Sequence, residues 1–430
     1  MKVNTNPVRG MKDFLPDEAE LRERVKRTII DTYTSFGYRK IETPILEHLN
    51  LLQSGDGGDN EKLTFKVMKR GNKLKIDTAK DENDLADSGM RFDLTVPLSR
   101  IFANNQGKIA LPMKVIQADW VFRAERPQKG RYRQFMQCDI DVIGEKDITA
   151  EIDLLIASSQ ALLNVGFEDF TIKINDRKVL KDLATKWGFK EDDHESVFII
   201  LDKLDKIGVE GVEKELTEKE FGENAISSAI QDVTNFEAGE FDESIMTDDL
   251  KKVVDGIKSF NSSKYKIEFD PTLVRGMGYY TGMIYEIKYK DYPGSVGGGG
   301  RYDKMIGKRI GQDVPACGFS IGFERIVDIM LEEEQENNEK KLKLAVVFNS
   351  EHNDVNILYS RAKDFRNGIV PLTIKERNGK KVAKKEVSVL KREKKFGKQL
   401  KKLLEQGFTH YATLEDNEVL VIKELEINEN

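Results

Sequence analysis

Residues 122–141 read FRAERPQKGRYRQFMQCDID and combine the side chains that phosphate and amine chemistry need. The opening sets a buried-strand pattern beside Arg123 and Glu125. PQKGRYR is a basic turn. QFMQCDID alternates polar with apolar residues, so Gln137, Asp139 and Asp141 share one strand face. The spacing predicts a hairpin whose polar face holds a phosphorylated ligand. Arginine suits bidentate phosphate contact, and carboxylates suit ammonium and N–H groups. A lone FRxER would read as an ordinary surface hairpin. Here three further blocks accompany it: RFDLT at 91–95, LVRGMGYYTGMIYE at 273–286 and GFSIGFER at 318–325. The glycine run in GSVGGGGR, taken alone, reads as a tight turn or a flexible loop.

Other chemistries find little support. Neither a GxxxxGK[ST] loop nor a strand-borne GxGxxG is present, so a nucleotide would have to bind side chains on a sheet. Cys138 and Cys317 lack metal-type spacing, which fits a reduced, cytoplasmic setting without disulfides or zinc. None of His48, His194, His352 and His410 sits in a motif with a serine, a cysteine or a second histidine, which argues against triad hydrolysis and a His-ligated metal.

FRAERPQKGRYRQF closely resembles the second signature motif of class II aminoacyl-tRNA synthetases, in its histidyl form. GFSIGFER resembles the third class II motif, a strand feeding a helix that carries an arginine. LVRGMGYYTG and GGGGRYDKMIG resemble two blocks of the histidyl enzymes and their close paralogues. RGMKDFLP resembles the family's N-terminal element, and the helix, strand and proline ending at Pro44 its first motif, which lies at a dimer interface. The motifs run in family order through nearly the whole chain. The resemblance implies an α+β class II fold: an antiparallel-sheet catalytic core, a helical insertion and a C-terminal α/β anticodon-binding-like domain. It implies a ligase that activates L-histidine with ATP and transfers it to the 3′ end of tRNA(His), as a homodimer.

Residue roles follow from the same resemblance. Arg123, Arg275 and Arg325 are the expected catalytic residues. Arg123 and Arg275 meet the ATP α-phosphate and Glu125 the adenine amino edge. Phe135 and Arg325 sandwich the purine, and Arg131 reaches the distal phosphates. The histidine pocket draws on Asp93, Leu94, Thr95, Gln137, Asp141, Arg275, Tyr279, Tyr280 and Tyr302. Asp93 and Thr95 would hold the α-ammonium and Gln137 the backbone end. Neutral imidazole offers one donor and one acceptor, which Asp141 and Tyr280 together read. As structural alternatives, Tyr279 and Tyr280 are core aromatics and Asp141 a strand-edge cap. Mg²⁺ would bridge ATP oxygens, with no structural metal held by the protein. Three positions depart from the common pattern. Gly278 stands where an acidic residue precedes the tyrosine pair, Ala124 where a histidine often follows the arginine, and RFDLT replaces the bacterial RPEGT. The second reading is a non-catalytic paralogue that senses histidine or tRNA. Such regulatory subunits generally lack the C-terminal domain expected here.

These residues need elements to hold them. The 430-residue chain, 39% apolar and 33% charged, reads as a soluble protein of several domains. No membrane-spanning run and no apolar signal region is visible. Leu21, Val25, Thr28, Ile29 and Tyr33 predict an amphipathic helix over 17–36. FKVMKRGNKLKI predicts a hairpin with a Gly-Asn turn. The expected organisation is a catalytic core at 1–175 and 263–331, a helical insertion at 176–262, a charged linker at 332–343 and the α/β domain at 344–430. Net charge is −6, yet residues 372–406 hold thirteen Lys/Arg against four Asp/Glu. A basic end on an acidic body suits a polyanion, although on charge alone a solvated helix face reads equally well.

Overall fold

The computed structural model describes residues 3–54, 58–127, 130–260, 263–275, 278–337, 342–349, 355–366, 385–414 and 420–425. The chain divides into two compact units, Met1–Leu331 and Glu332–Asn430.

In the first unit, Pro16 opens helix α1 (Pro16–Ser35), where its missing N–H costs nothing and Asp17 and Glu18 complement the helix dipole. Leu21, Val25, Ile29 and Tyr33 form the buried stripe. The strand expected before Pro44 is reduced to β1 (Arg39–Lys40), and β2 (Leu46–His48) follows the proline. Next come α2 (Leu49–Leu52), β3 (Lys66–Met68), α3 (Glu82–Leu85) and β4 (Ala86–Met90). The hairpin expected around Gly71–Asn72 does not form. Gly71–Lys73 is a 3₁₀ turn, and β3 pairs instead with β4, whose other edge takes β2. Then follow α4 (Thr95–Asn105), β5 (Met113–Phe122), β6 (Gln134–Ile143), α5 (Thr149–Val165) and β7 (Phe170–Asp176). Helices α6 (Arg177–Trp187), α7 (His194–Leu201), α8 (Leu204–Glu218), α9 (Glu223–Glu237) and α10 (Asp248–Phe260) come next. The unit closes with β8 (Tyr265–Phe269), β9 (Met283–Tyr289), β10 (Ser295–Arg301), α11 (Asp303–Gly307), β11 (Ala316–Ile321) and the first part, to Leu331, of α12 (Phe323–Asn337). Helix α12 runs into the charged stretch expected as a linker; residues 338–341 lie outside the described ones.

The main sheet has the order β1-β5-β6-β11-β10-β9-β7-β8. Its neighbours are antiparallel except the outermost pairs, β1–β5 and β7–β8. Strand alternation divides β6: Met136, Cys138, Ile140 and Val142 are buried in the core, and Phe135, Gln137, Asp139 and Asp141 share the opposite face.

The second unit contains β12 (Leu342–Phe348), α13 (Val355–Arg366), β13 (Lys385–Lys391), α14 (Phe396–Glu405), β14 (His410–Leu414) and β15 (Leu420–Glu424). Its sheet has the order β13-β12-β14-β15, with β12 parallel to both neighbours, giving an α/β unit. Helix α14 buries Gln399 and Leu403 and exposes Lys398, Lys401 and Lys402. Of the basic residues counted above, Lys375, Arg377, Lys380, Lys381 and Lys384 lie outside the described residues.

Candidate active site

The register of the main sheet builds the floor of the site. Asp139 pairs with Ser320, Ser320 with Gly298, and Gly298 with Glu286. One pleat along, Asp141 pairs with Gly318 and Gly318 with Gly300. The glycines are required by what lies on them. A Cβ on Gly298 would sit 2.3 Å from an Arg275 guanidinium nitrogen, one on Gly300 2.7 Å from the Tyr280 ring, and one on Gly318 2.2 Å from Asp141 Oδ1. GSVGGGGR is strand, not flexible loop; its missing side chains let an arginine and a tyrosine lie flat on the sheet, and Gly318 on β11 does the same for a carboxylate.

Above this floor lies an inner cavity lined by Asp93, Thr95, Arg123, Gln137, Asp139, Asp141, Arg275, Tyr279, Tyr280 and Tyr302. The buried Tyr302 hydroxyl donates to Asp141 Oδ1. Burial pushes the Asp141 carboxyl up to about 7, against the Tyr302 hydrogen bond that pulls it down. Burial, then the charge of Asp141, hold Asp139 well above the usual carboxylate range. Among the described residues, Gln137 Oε1, Asp139 Oδ1 and Asp141 Oδ2 are buried acceptors without a hydrogen-bond partner. Three such atoms in one cavity call for a ligand rich in N–H donors, because an unpaired buried acceptor costs about 1–3 kcal/mol. Tyr279 and Tyr280 pack with ring centroids 4.7 Å apart, and Tyr279 meets Tyr302 edge-on at 6.0 Å.

An outer chamber shares Arg123, Gln137, Arg275, Gly298 and Ser320 with the inner cavity and adds Glu125, Arg131, Phe135 and Arg325. The shared wall is cationic. Arg123 Nε donates to the Phe92 carbonyl at 3.0 Å, and its guanidinium carbon lies 5.0 Å from the Phe135 ring centre. Burial lowers the Arg123 pKa, opposed by Asp93 and Glu125. Arg275 donates to Glu286 at 3.0 Å. Arg325, from the first turn of α12, donates to the Ser295 carbonyl at the start of β10. Glu125 and Arg131 face each other at 3.7 Å. The loop between β5 and β6 is tied to the N-terminal segment, with Arg133 N–H donating to the Gly10 carbonyl at 2.8 Å. Residues 128–129 of that loop lie outside the described ones.

A sequence model of the family described as histidyl-tRNA synthetase matches residues 10–326. The chain belongs to the histidyl-tRNA synthetase family. A histidine–tRNA ligase from Leifsonia xyli subsp. xyli is 43% identical over 347 residues, covering 75% of this chain and 80% of that protein. One from Christiangramia forsetii is 36% identical over 353 residues, covering 76% of each. The crystal structure of histidyl-tRNA synthetase from Nostoc sp. PCC 7120 superposes with a TM-score of 0.75, over 99% of this chain and 95% of that one. At 24% identity that likeness concerns the fold.

Within this synthetase fold, the residues expected at the site line one or other of the two spaces, with one exception. Leu94 does not line either: its side chain is buried in the core, and its carbonyl accepts from Gln117 Nε2 at 3.1 Å. Arg91, in the same RFDLT block, is fully buried and bonds the carbonyls of Thr43 and Trp120 at 2.6 and 2.8 Å, so it holds the block rather than a ligand. Asp93 accepts from Val96 N–H at 3.1 Å at the start of α4, which aims it into the cavity. The Tyr302 hydroxyl is bonded to Asp141, and Tyr280 lines the same cavity. Sequence reasoning missed two supporting ion pairs. Arg301 is clamped by Glu151, with one bond at 2.7 Å, and fixes the strand end that presents Tyr302. Glu324 holds Arg22 at 2.8 Å and accepts from Met136 N–H at 2.9 Å, tying α12 to α1 and β6. Asp139 was visible on the right strand face, since its spacing of two from Gln137 and Asp141 signalled it. At Gly278 a Cβ would meet nothing within 4 Å, so packing does not demand a glycine there; Gly276 and Met277 lie outside the described residues.

Proposed function

We propose that the chain is a histidine–tRNA ligase that forms histidyl-adenylate from L-histidine and ATP and passes the histidyl group to the 3′ end of tRNA(His). The observation that carries this is the wall common to the two spaces. Unpaired acceptors fill the inner cavity, and Arg123 and Arg275 stand between it and the outer chamber. Histidine in the inner cavity presents its ammonium and imidazole N–H to the acceptors and its carboxylate to the arginines. ATP in the outer chamber lays its base near Phe135 and Arg325 and its α-phosphate against the same two arginines. A carboxylate oxygen then attacks the α-phosphorus, a new P–O bond forms, and the bond to the β-phosphate oxygen breaks to release pyrophosphate. In the second step a terminal ribose hydroxyl attacks the carbonyl carbon and AMP leaves. The protein contributes position and positive charge where two anions must meet.

Mg²⁺ would come with the nucleotide and neutralise the departing pyrophosphate. The chamber's carboxylates fit that division: Glu125 faces Arg131, Glu324 is bound by Arg22, and Asp202 lies in the field of Arg275. The exposed lysines of α14 suit the phosphate backbone of the tRNA. A homodimer and a cytoplasmic setting complete the reading; both described cysteines are free and buried. No feature of the site favours the sensor reading.

The test is histidine-dependent exchange of pyrophosphate into ATP, followed by charging of tRNA(His). Wild-type protein gives exchange with histidine alone among the amino acids. Arg275→Ala loses it by about 10²–10³-fold, the effect of removing one oriented transition-state donor. Histidine binding without exchange in the wild type would overturn the ligase reading.

A further inference from the structure

The scheme above counts Asp139 among the acceptors without giving it a partner of its own, yet it is one of the more constrained groups in the inner cavity. It is 4% exposed and lies between Gln137 and Asp141 on one face of β6. Gln137 Nε2 donates to Asp139 Oδ2 at 3.3 Å and toward Ser320 Oγ at 3.4 Å. Ser320, opposite Asp139 in the strand register, favours the ionised Asp139 carboxylate against its burial. These bonds decide which way the Gln137 amide points. Turned over, it would set its oxygen against a carboxylate oxygen. As it stands, its donor end is consumed and Oε1 faces the cavity without a partner. Asp139 Oδ1 is unpartnered beside it.

The charge balance agrees. Asp93, Asp139 and Asp141 line the cavity against Arg123 and Arg275, and Arg275 is already paired with Glu286. A carboxyl group buried under those conditions ionises readily only when the ligand brings in a cation. On the proposed ligase reading, the only cation that arrives in the inner cavity is the ammonium of the amino acid.

We propose that Asp139 is a further specificity-determining residue: its Oδ1, together with the Gln137 oxygen that it orients, holds the substrate ammonium, leaving Asp141 and Tyr302 to the imidazole. An ammonium donates three hydrogen bonds, and these two acceptors and Asp93 are a matching set. Asparagine at 139 keeps the shape and still offers Gln137 an acceptor, but turns an N–H donor toward the ammonium.

The experiment compares wild type, Asp139→Asn and Ser320→Ala in histidine-dependent pyrophosphate exchange. Two competitive inhibitors serve as probes: histidinol, which keeps the ammonium and imidazole, and imidazolepropionate, which lacks the ammonium. In Asp139→Asn the KM for histidine and the Ki of histidinol rise together by about tenfold or more, the loss of one charge-assisted hydrogen bond. The Ki of imidazolepropionate and the KM for ATP stay within about twofold. Ser320→Ala, which loosens the carboxylate without removing its charge, shifts the same two constants by a smaller factor and remains informative if the Asn variant folds poorly. An equal loss for imidazolepropionate, or a parallel rise in the KM for ATP, overturns the assignment. Absence of exchange in the wild type would instead sink the ligase reading itself, so the two failures are distinguishable.

Discussion

Gly298→Ala tests whether the glycine strand is the bed of a catalytic arginine. The added methyl would lie 2.3 Å from an Arg275 guanidinium nitrogen and 2.9 Å from its central carbon. Ordinary contact for such atoms is about 3.5 Å, so the guanidinium must rise by about 1 Å. Arg275 is also bound to Glu286 at 3.0 Å, and lifting it strains that bond. A displacement of about 1 Å at a reacting centre costs about 10²-fold in rate, or about 2.7 kcal/mol of transition-state stabilisation. The methyl also meets the Tyr285 carbonyl at 2.9 Å, so a loss of stability of about 1–3 kcal/mol accompanies the kinetic effect. The assay is histidine-dependent pyrophosphate exchange well below the variant's melting temperature, with kcat/KM measured in wild type, Gly298→Ala, Arg275→Ala and the double variant. Exchange falls about 10²-fold in Gly298→Ala, and the same methyl in the Arg275→Ala background costs less than about threefold, because no guanidinium remains to displace. Full activity in Gly298→Ala refutes the reasoning. So does a hundredfold loss that recurs without Arg275, since the damage would then come from the strand itself.

Glu324→Gln leaves Arg22 buried without its counter-charge and lowers unfolding free energy by about 3–5 kcal/mol, read by denaturant titration; a change under about 1 kcal/mol would show that the Phe14 and Trp120 rings alone hold the guanidinium. Gly278→Glu enters open space, so its melting temperature matches wild type within a few degrees and exchange is retained; a loss of folding would mean that the turn needs glycine. Asp141 holds its proton up to about pH 7 in the folded protein and sheds it near the ordinary carboxylate value when unfolded. Its contribution to stability is therefore largest below the ordinary value and declines as pH rises toward 7, at up to about 1.4 kcal/mol per pH unit. Asp141→Asn lacks this dependence, so its stability relative to wild type increases between pH 4 and 7 and levels off above. A gap that stays constant across that range, measured by urea unfolding, contradicts the assigned shift.

The hairpin was legible because its chemistry obeys a local rule. A spacing of two forces Gln137, Asp139 and Asp141 onto one face of β6, and no tertiary fact is needed to see it. The same rule located α1, whose apolar spacing and opening proline are contained in twenty residues. The rest depended on partners distant in sequence. Four consecutive glycines carry no side-chain pattern, so nothing in GSVGGGGR says strand; its pairing with β9 and β11 and the side chains of Arg275 and Tyr280 lying over it come from distant positions. Arg301 meets Glu151 across 150 positions and Arg22 meets Glu324 across 302, and no local signal announces either pair. The Gly-Asn turn misled for the converse reason. Its signal is local, but β3 takes its partner from β4, beyond the reach of a two-residue turn.

Leu94 and Asp139 together show why a motif is not yet a site. Both lie within blocks that were expected to meet the substrate, and side-chain direction separates them: Leu94 is turned into the core, whereas Asp139 lies on the cavity-facing pleat of its strand. Gln137, Asp139 and Asp141 keep buried acceptor atoms that no protein group among the described residues pairs, and a donor-rich ligand pairs them. By linkage, a ligand that binds only the folded state raises unfolding free energy by RT ln(1 + [L]/Kd), about 2.7 kcal/mol at a hundredfold excess over Kd. Histidine and histidinol stabilise the protein by this relation. Imidazolepropionate, which leaves the ammonium acceptors unpaired, does so only at much higher concentration. If the three ligands stabilise alike at equal concentration, the unpaired acceptors of β6 are not what the cavity uses to choose its substrate.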